Sequence, residues 1–238
     1  MGHPPELRWR RGAETFTAPI GEVWLAELRT ADPWRSVRSA HGQAHFAGSY
    51  WAATTRGLVT YESRLELGRL LLADWDPDVA WIVSQPFLIE SVSPDGHRRR
   101  HIPDYLLFDR SDGACVVNVK PPSRLAVPKV AAALAWPQEH FARRGWRTEV
   151  WTGAPTLRLT NLRFLAGYRH AERCDHEALE LVRRLGTRAT TIGELEQMCG
   201  HHCRVELVRP AILHAVWSHE LRIDIDQHLD VHTRLEAS

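Results

Sequence analysis

The run His101-Ile102-Pro103-Asp104-Tyr105-Leu106-Leu107-Phe108 is followed, after Asp109-Arg110-Ser111-Asp112-Gly113, by Ala114-Cys115-Val116-Val117-Asn118-Val119-Lys120. Both runs are strand-like, and the polar, glycine-ended segment between them has the composition of a hairpin turn. Folded so, Asp104 near the start of one strand and Lys120 near the end of the other come to the same end of the hairpin. Joined by an acid from a neighbouring helix, they make the minimum set for metal-dependent phosphodiester cleavage. That reaction needs an activated water, neutralised phosphate charge and help for the leaving oxygen. A hard divalent cation held by carboxylates does all three, and a lysine orients the water or stabilises developing charge. The lysine is a selective choice: the chain has 30 Lys and Arg, and only Lys120 and Lys129 are lysines. Lysine is a compact point charge, whereas arginine is a wide fork that never loses its proton.

The segment Tyr61–Asp74 has Leu65 and Leu72 on one helical face and supplies two candidate acids, Glu62 and Glu66, one turn apart. Helical spacing does not choose between them. Asn118, two residues before Lys120, projects to the same sheet face and offers an amide oxygen where an acid would bind a cation more strongly. The basic run Arg98-Arg99-Arg100 beside the hairpin, and Lys129 at a helix start, are candidate contacts to backbone phosphates.

The remaining sequence frames these residues. A length of 238 residues suits one good core plus a small second domain, and 44% hydrophobic with 25% charged residues is ordinary globular composition. No apolar run approaches a membrane span, and the first residues lack a signal-peptide core, so the expected compartment is the cytoplasm. A net charge of +1 leaves nucleic-acid binding open if basic residues are grouped. Cys115 fits a strand core, whereas Cys199-Gly200-His201-His202-Cys203, with Cys174 and His176 upstream, is a candidate zinc site of uncommon spacing.

Residues 1–45 read as an arm with little core of its own, carrying Arg10, Arg11, Arg29, Arg35 and Arg38, either a strap across DNA or a partner or an irregular extension packed on the domain; within it, 22–28 suit a short helix or a strand. Residues 46–168 read as a mixed α/β domain: a strand or loop 46–57, helix 61–74, strands within 79–90, the 101–120 hairpin, a helix over 128–144 kinked at Pro137, a strand 145–152 and a closing helix 157–168. Trp51 and Trp146 are the tryptophans to check for exposure near DNA. Residues 169–238 hold three helices, 177–185, 192–199 and 210–218, then alternating runs 221–226 and 231–235, the element order of a winged-helix module.

The segments Tyr61-Glu62-Ser63-Arg64-Leu65-Glu66-Leu67, Gln85-Pro86, Ile102-Pro103-Asp104-Tyr105-Leu106 and Asn118-Val119-Lys120-Pro121 together resemble the TnsA-type transposon endonucleases. The resemblance spans about residues 46–168 and implies a restriction-endonuclease-like mixed sheet core flanked by helices. It implies an enzyme that cuts the 5′ strands at transposon ends while an RNase H-like transposase subunit handles the 3′ ends. It also selects Glu66, by Ser63-Arg64-Leu65-Glu66, as the helix acid. Glu66 and Asp104 then hold Mg²⁺, with Mn²⁺ able to substitute, Asn118 assists as a shortened form of the family's usual Gln, and Lys120 activates water. Gln85 is an accessory residue at the site or a support for the hairpin, and Glu62 is a further accessory. The implied partners are transposon-end DNA, the transposase and an ATPase regulator, acting in a bacterial cytoplasm at the nucleoid, and the C-terminal module matches the family's winged-helix-like tail by pattern only. The rival readings are a stand-alone restriction or repair nuclease of the same fold, and a non-catalytic platform for the transposase.

Overall fold

Leu7 and Trp9 alternate with Arg8 and Arg10 along the first strand, β1 (Glu6–Arg11), which turns at Gly12 into β2 (Glu14–Pro19). Gly12 has φ +60°, a left-handed conformation that costs least without a Cβ. The computed structural model describes residues 4–35, 46–93 and 95–236, so Arg38 lies outside the described residues. The chain continues through α1 (Leu25–Arg29), β3 (Gly48–Ala52), β4 (Gly57–Tyr61), α2 (Arg64–Trp75), β5 (Val79–Ser84), β6 (Leu88–Val92) and β7 (Arg98–His101). Then come β8 (Tyr105–Asp109), β9 (Ala114–Val119), α3 (Pro122–Leu125), α4 (Pro128–Arg143) and β10 (Arg147–Trp151). The last helices are α5 (Thr156–Leu165), α6 (His176–Gly186), α7 (Ile192–Gly200) and α8 (Val205–Trp217).

The protein is mixed α/β, with two four-stranded sheets and a two-stranded one. One sheet is antiparallel, in the order β2-β1-β6-β7; the other, β10-β9-β8-β5, is mixed, because β10 runs parallel to β9. The hairpin forms between β8 and β9 with Tyr105 opposite Val117 and Phe108 opposite Ala114. The Asp109 carboxylate accepts from the Ser111 and Gly113 N–H groups and closes its turn. The expected single strand 101–108 is instead two. β7 pairs with β6 in the first sheet, β8 pairs with β5 and β9 in the second, and Ile102–Asp104 bridges them. Pro103 has no N–H to give a ladder, which suits it to the break.

Alternation along β9 divides the interior. Ala114 and Val116 join Leu7, Trp9, Val83, Phe87, Leu106, Phe141 and Trp146 in one buried cluster. Val117 and Val119 join Leu70, Ala73, Ile82, Tyr105 and Leu107 in the other. The mixed sheet is thus covered on both faces, by α4 with the N-terminal strands on one side and by α2 on the other.

Several expectations change. Residues 6–28 are no coreless arm, since Leu7, Val23 and Leu28 are at most 1% exposed. Trp146 is core as well, stacked on Phe141 with ring centroids 5.9 Å apart, and Trp51 is half-buried. The helix starts at Arg64 and not at Tyr61, because the Ser63 hydroxyl caps it by accepting the Glu66 N–H at 3.0 Å. Glu62 therefore lies outside the helix, and the shared-face argument for Glu62 and Glu66 does not apply.

The chain divides into two units, Met1–Gly153 and Ala154–Ser238, so α5 belongs with the C-terminal helices and not with the hairpin. In the second unit, Asp175 caps α6 and Thr191 caps α7. The last helix is longer than expected, starting at Val205 with Pro210 inside. The alternating runs 221–226 and 231–235 form no strands. Single antiparallel bridges join Arg222 to Glu236 and Thr191 to Arg234. Local turns compete for the backbone there: Asp224 accepts the Asp226 N–H at 2.9 Å and Asp230 the His232 N–H at 2.7 Å. Among the described residues, no helix is long and apolar enough to cross a membrane.

The placement of β1 has a direct test. Leu7 is fully buried, so Leu7→Ala should destabilise the first unit by about 2–5 kcal/mol in denaturant unfolding. A substitution in a detached arm would leave the midpoint unchanged.

Candidate active site

Asp104 sits at the break between the two sheets, held by main chain on both sides. Its N–H donates to Val117 O at 3.0 Å and its carbonyl accepts the Gln85 N–H at 2.9 Å. One carboxylate oxygen, Oδ2, accepts the Val119 N–H at 2.6 Å and the Lys120 ammonium at 3.1 Å. Lys120 is steadied in turn: its N–H donates to Trp151 O at 3.0 Å, and its Nζ donates to Val119 O at 2.9 Å. The hairpin and the parallel strand β10 therefore place the aspartate and the lysine in direct contact.

Glu66 comes from the first turn of α2. Its carboxylate accepts the Glu62 N–H at 2.7 Å and the Ser63 hydroxyl at 3.0 Å, which fixes the side chain at the helix mouth. One turn on, Arg69 grips Glu149 of β10 through two bonds of 3.1 and 2.7 Å and ties the helix to the sheet. The buried Tyr105 hydroxyl donates to the Glu66 carbonyl at 3.3 Å. Burial raises the Glu66 pKa above the ordinary carboxylate range, and the nearby Asp104 charge raises it further against the bond from Glu62. Burial, then the charges of Glu66 and Asp104, drive the Tyr105 phenol well up. The helix acid and the strand acid thus lie within each other's field, and both act on the Tyr105 phenol.

Asn118 lies elsewhere in this arrangement. It is 1% exposed and its Oδ1 is bonded to His101 Nε2 at 2.7 Å, while its Nδ2 is buried without a partner. Burial lowers the His101 pKa, the bond to Asn118 and the Asp104 charge oppose this, and the charges of Lys120 and Arg35 add to the lowering. The Asp104 charge therefore acts on both Glu66 and His101.

Gln85 is buried, with φ +44°. Besides its bond to the Asp104 carbonyl, its side-chain oxygen accepts the Arg35 N–H at 3.1 Å. Glu62 is 3.6 Å from the Arg35 guanidinium. The arginines of β7 flank the site in sequence, with Arg100 and Arg98 at 2.5 and 3.9 Å from Glu90 and Arg99 exposed. Lys129 is exposed on the first turn of α4.

Two further residues meet the site that the sequence alone does not assign to it: His101, at the head of the first strand-like run, and Arg35, in the N-terminal segment. The one available signal for His101 was its position three residues before Asp104.

A hard divalent cation takes oxygen donors, and Asp104 and Glu66 are carboxylates within mutual electrostatic range. Repulsion between two partly buried carboxylates is what a bound cation relieves, so this pair fits such an ion. Asn118 Oδ1 is committed to His101 and adds no oxygen to the set in this geometry. Among the described residues, no group of three or more His, Cys, Asp or Glu side chains is arranged to hold a metal ion, Cys199 and Cys203 included. The Cys174 thiol lies 3.8 Å from the Pro210 carbonyl.

Compared with models of known protein families the chain matches none, and no curated protein matches it.

The raised Glu66 pKa carries a stability consequence. A carboxyl whose pKa is higher folded than unfolded contributes stability that is full below the unfolded pKa and is lost as pH rises through the folded one. Glu66→Gln removes that loss. In the absence of divalent metal, the variant should unfold at a higher temperature than wild type at about pH 8, with the two converging toward acid pH. A wild type that stays the more stable at the higher pH would mean that the bonds from Glu62 and Ser63 outweigh burial and the Asp104 charge.

Proposed function

We propose that the chain is a divalent-metal-dependent DNA endonuclease, the subunit of a heteromeric transposase that cuts the 5′ strands at transposon ends. The observation that carries this reading is the Asp104 carboxylate, bonded to Lys120 and electrostatically coupled to Glu66. The order α2, β5, β8, β9, α4, β10, with its mixed sheet β10-β9-β8-β5, supports a restriction-endonuclease-like core. In the second unit, the helices α6, α7 and α8 followed by bridges from 234 to 191 and from 236 to 222 support a winged-helix-like module. Transposon-end DNA, an RNase H-like transposase and an ATPase regulator are the partners in this reading, and the setting is the nucleoid of a bacterial cytoplasm.

Asp104 and Glu66 would hold Mg²⁺ or Mn²⁺. When bound, the cation supplies Lewis acidity toward the phosphate and lowers the pKa of water. The protein's own groups supply the rest. Val119 N–H and Lys120 keep one Asp104 oxygen oriented, while the caps from Ser63 and Glu62 keep Glu66 in place. Lys120 Nζ, held by its bonds to Asp104 and Val119 O, orients the water or stabilises negative charge on the phosphate oxygens. Water oxygen bonds to phosphorus, the bond from phosphorus to the leaving sugar oxygen breaks, and a proton ends on that oxygen.

The test is strand-specific cleavage of a transposon-end duplex with the transposase present. Asp104→Ala and Lys120→Ala should each lower 5′-strand cutting by about 10²–10³-fold or more and leave 3′-strand processing in place. Cutting of 5′ strands at the wild-type rate by both variants refutes the site.

A further inference from the structure

The segment Trp34-Arg35 is fixed far more firmly than a surface arginine requires. Gln85 O accepts the Trp34 N–H at 2.9 Å and Gln85 Oε1 accepts the Arg35 N–H at 3.1 Å. Arg10 donates to Trp34 O at 3.3 Å, and the Arg8 guanidinium lies 5.7 Å above the Trp34 ring. Gln85 does this from a left-handed backbone, φ +44°, at 5% exposure and directly before Pro86. A non-glycine residue in that conformation persists only where its surroundings over-determine it, and such residues cluster at functional sites. The third bond of the same residue, from its N–H to Asp104 O, joins the clamp to the strand acid.

The held arginine has its charge to spare. Its side chain is 57% exposed, and its nearest acid, Glu62, is 3.6 Å away, longer than a charge-assisted hydrogen bond. Among the described residues its guanidinium makes no hydrogen bond. Glu62 in turn donates its N–H to the Glu66 carboxylate. The guanidinium therefore stands 3.6 Å from Glu62 and within the field of His101, while its backbone is pinned to the residue that pins Asp104.

Resting on the nuclease reading above, we propose that Arg35 is a catalytic residue that binds the non-bridging oxygens of the scissile phosphate, and that Gln85 is its positioning residue. A guanidinium presents a planar fork matched to two phosphate oxygens. Charge on those oxygens grows toward the transition state, so a preorganised fork accelerates the step more than it tightens ground-state binding. The rest position on Glu62 keeps the arginine near the site without satisfying its donors.

The experiment is steady-state cleavage by the full chain with transposase and a transposon-end duplex, with Asp104→Ala as the inactive control. Arg35→Ala should lower kcat by about 10²–10³-fold, with KM and metal-free DNA affinity within about threefold. Arg35→Lys should recover only part of the loss, because a point charge cannot grip two oxygens. Gln85→Gly removes the side-chain acceptor and relieves the left-handed backbone. It should keep the thermal midpoint at or above wild type while lowering kcat at least about tenfold. The double variant should be no slower than Arg35→Ala, as expected for residues that act as one unit. If Arg35→Ala keeps kcat within about twofold or raises KM alone, while Asp104→Ala is inactive, the inference fails and the nuclease reading stands. If Asp104→Ala cuts as wild type does, the nuclease reading fails and this inference with it.

Discussion

One carboxylate oxygen organises the first unit. Asp104 Oδ2 receives both the Val119 N–H and the Lys120 ammonium, and it can do so only because the chain leaves one sheet and enters another at Pro103. Were 101–108 a continuous strand, the Asp104 side chain would be one more rung neighbour on a pleated face. The break frees the residue to turn its carboxylate onto the β9 backbone, beyond the last ladder pair. The lysine is placed by the same geometry, since its N–H closes on Trp151 of the parallel strand β10. Sheet topology and site chemistry are therefore a single constraint here: removing β10 from its place beside β9 would release Lys120, and Lys120 is half of what holds Asp104.

The second constraint is electrostatic, and it opposes folding. Two carboxylates share one region, Glu66 buried enough that its pKa rises and Asp104 close enough to raise it further. The fold compensates locally, with a capping box around Glu66, the ammonium on Asp104, and the Arg69–Glu149 pair that keeps α2 against the sheet. These contacts fix the acids in place and leave part of their charge uncancelled. A site that holds like charges together at the expense of stability is the common signature of function against folding.

What the sequence shows clearly is what short-range rules control. The β8–β9 hairpin, the Ser63 cap, α6 and α7 follow from turn residues, capping side chains and periodicity, all local. The contact between Asp104 and Lys120 was legible because a hairpin of known turn length brings its two ends together. The role of residues 6–28 was not legible, since Leu7 and Trp9 become core only by pairing with β6, some eighty residues away in sequence. A separation of 50 residues hid Arg35, whose N–H is held by Gln85. At the C-terminus the failure was local: alternation suggested strands at 221–226 and 231–235, but Asp224 and Asp230 bind their own backbone and limit the ladder to single bridges.

Asn118 shows why an amide is the side chain this strand position accepts. At 1% exposure, with His101 as its hydrogen-bond partner, a carboxylate there would be a buried charge, and its neutralisation would require a protonated His101. Burial holds that imidazole toward its neutral form, so the compensating charge is the one the site disfavours. A neutral amide avoids the conflict. It leaves Nδ2 without a partner, a cost of about 1–3 kcal/mol for a buried donor, which is smaller than that of an unpaired buried carboxylate. The Asn118–His101 pair lies within the field of Asp104 and Lys120, so the strand position two residues before the lysine acts on the site through an imidazole.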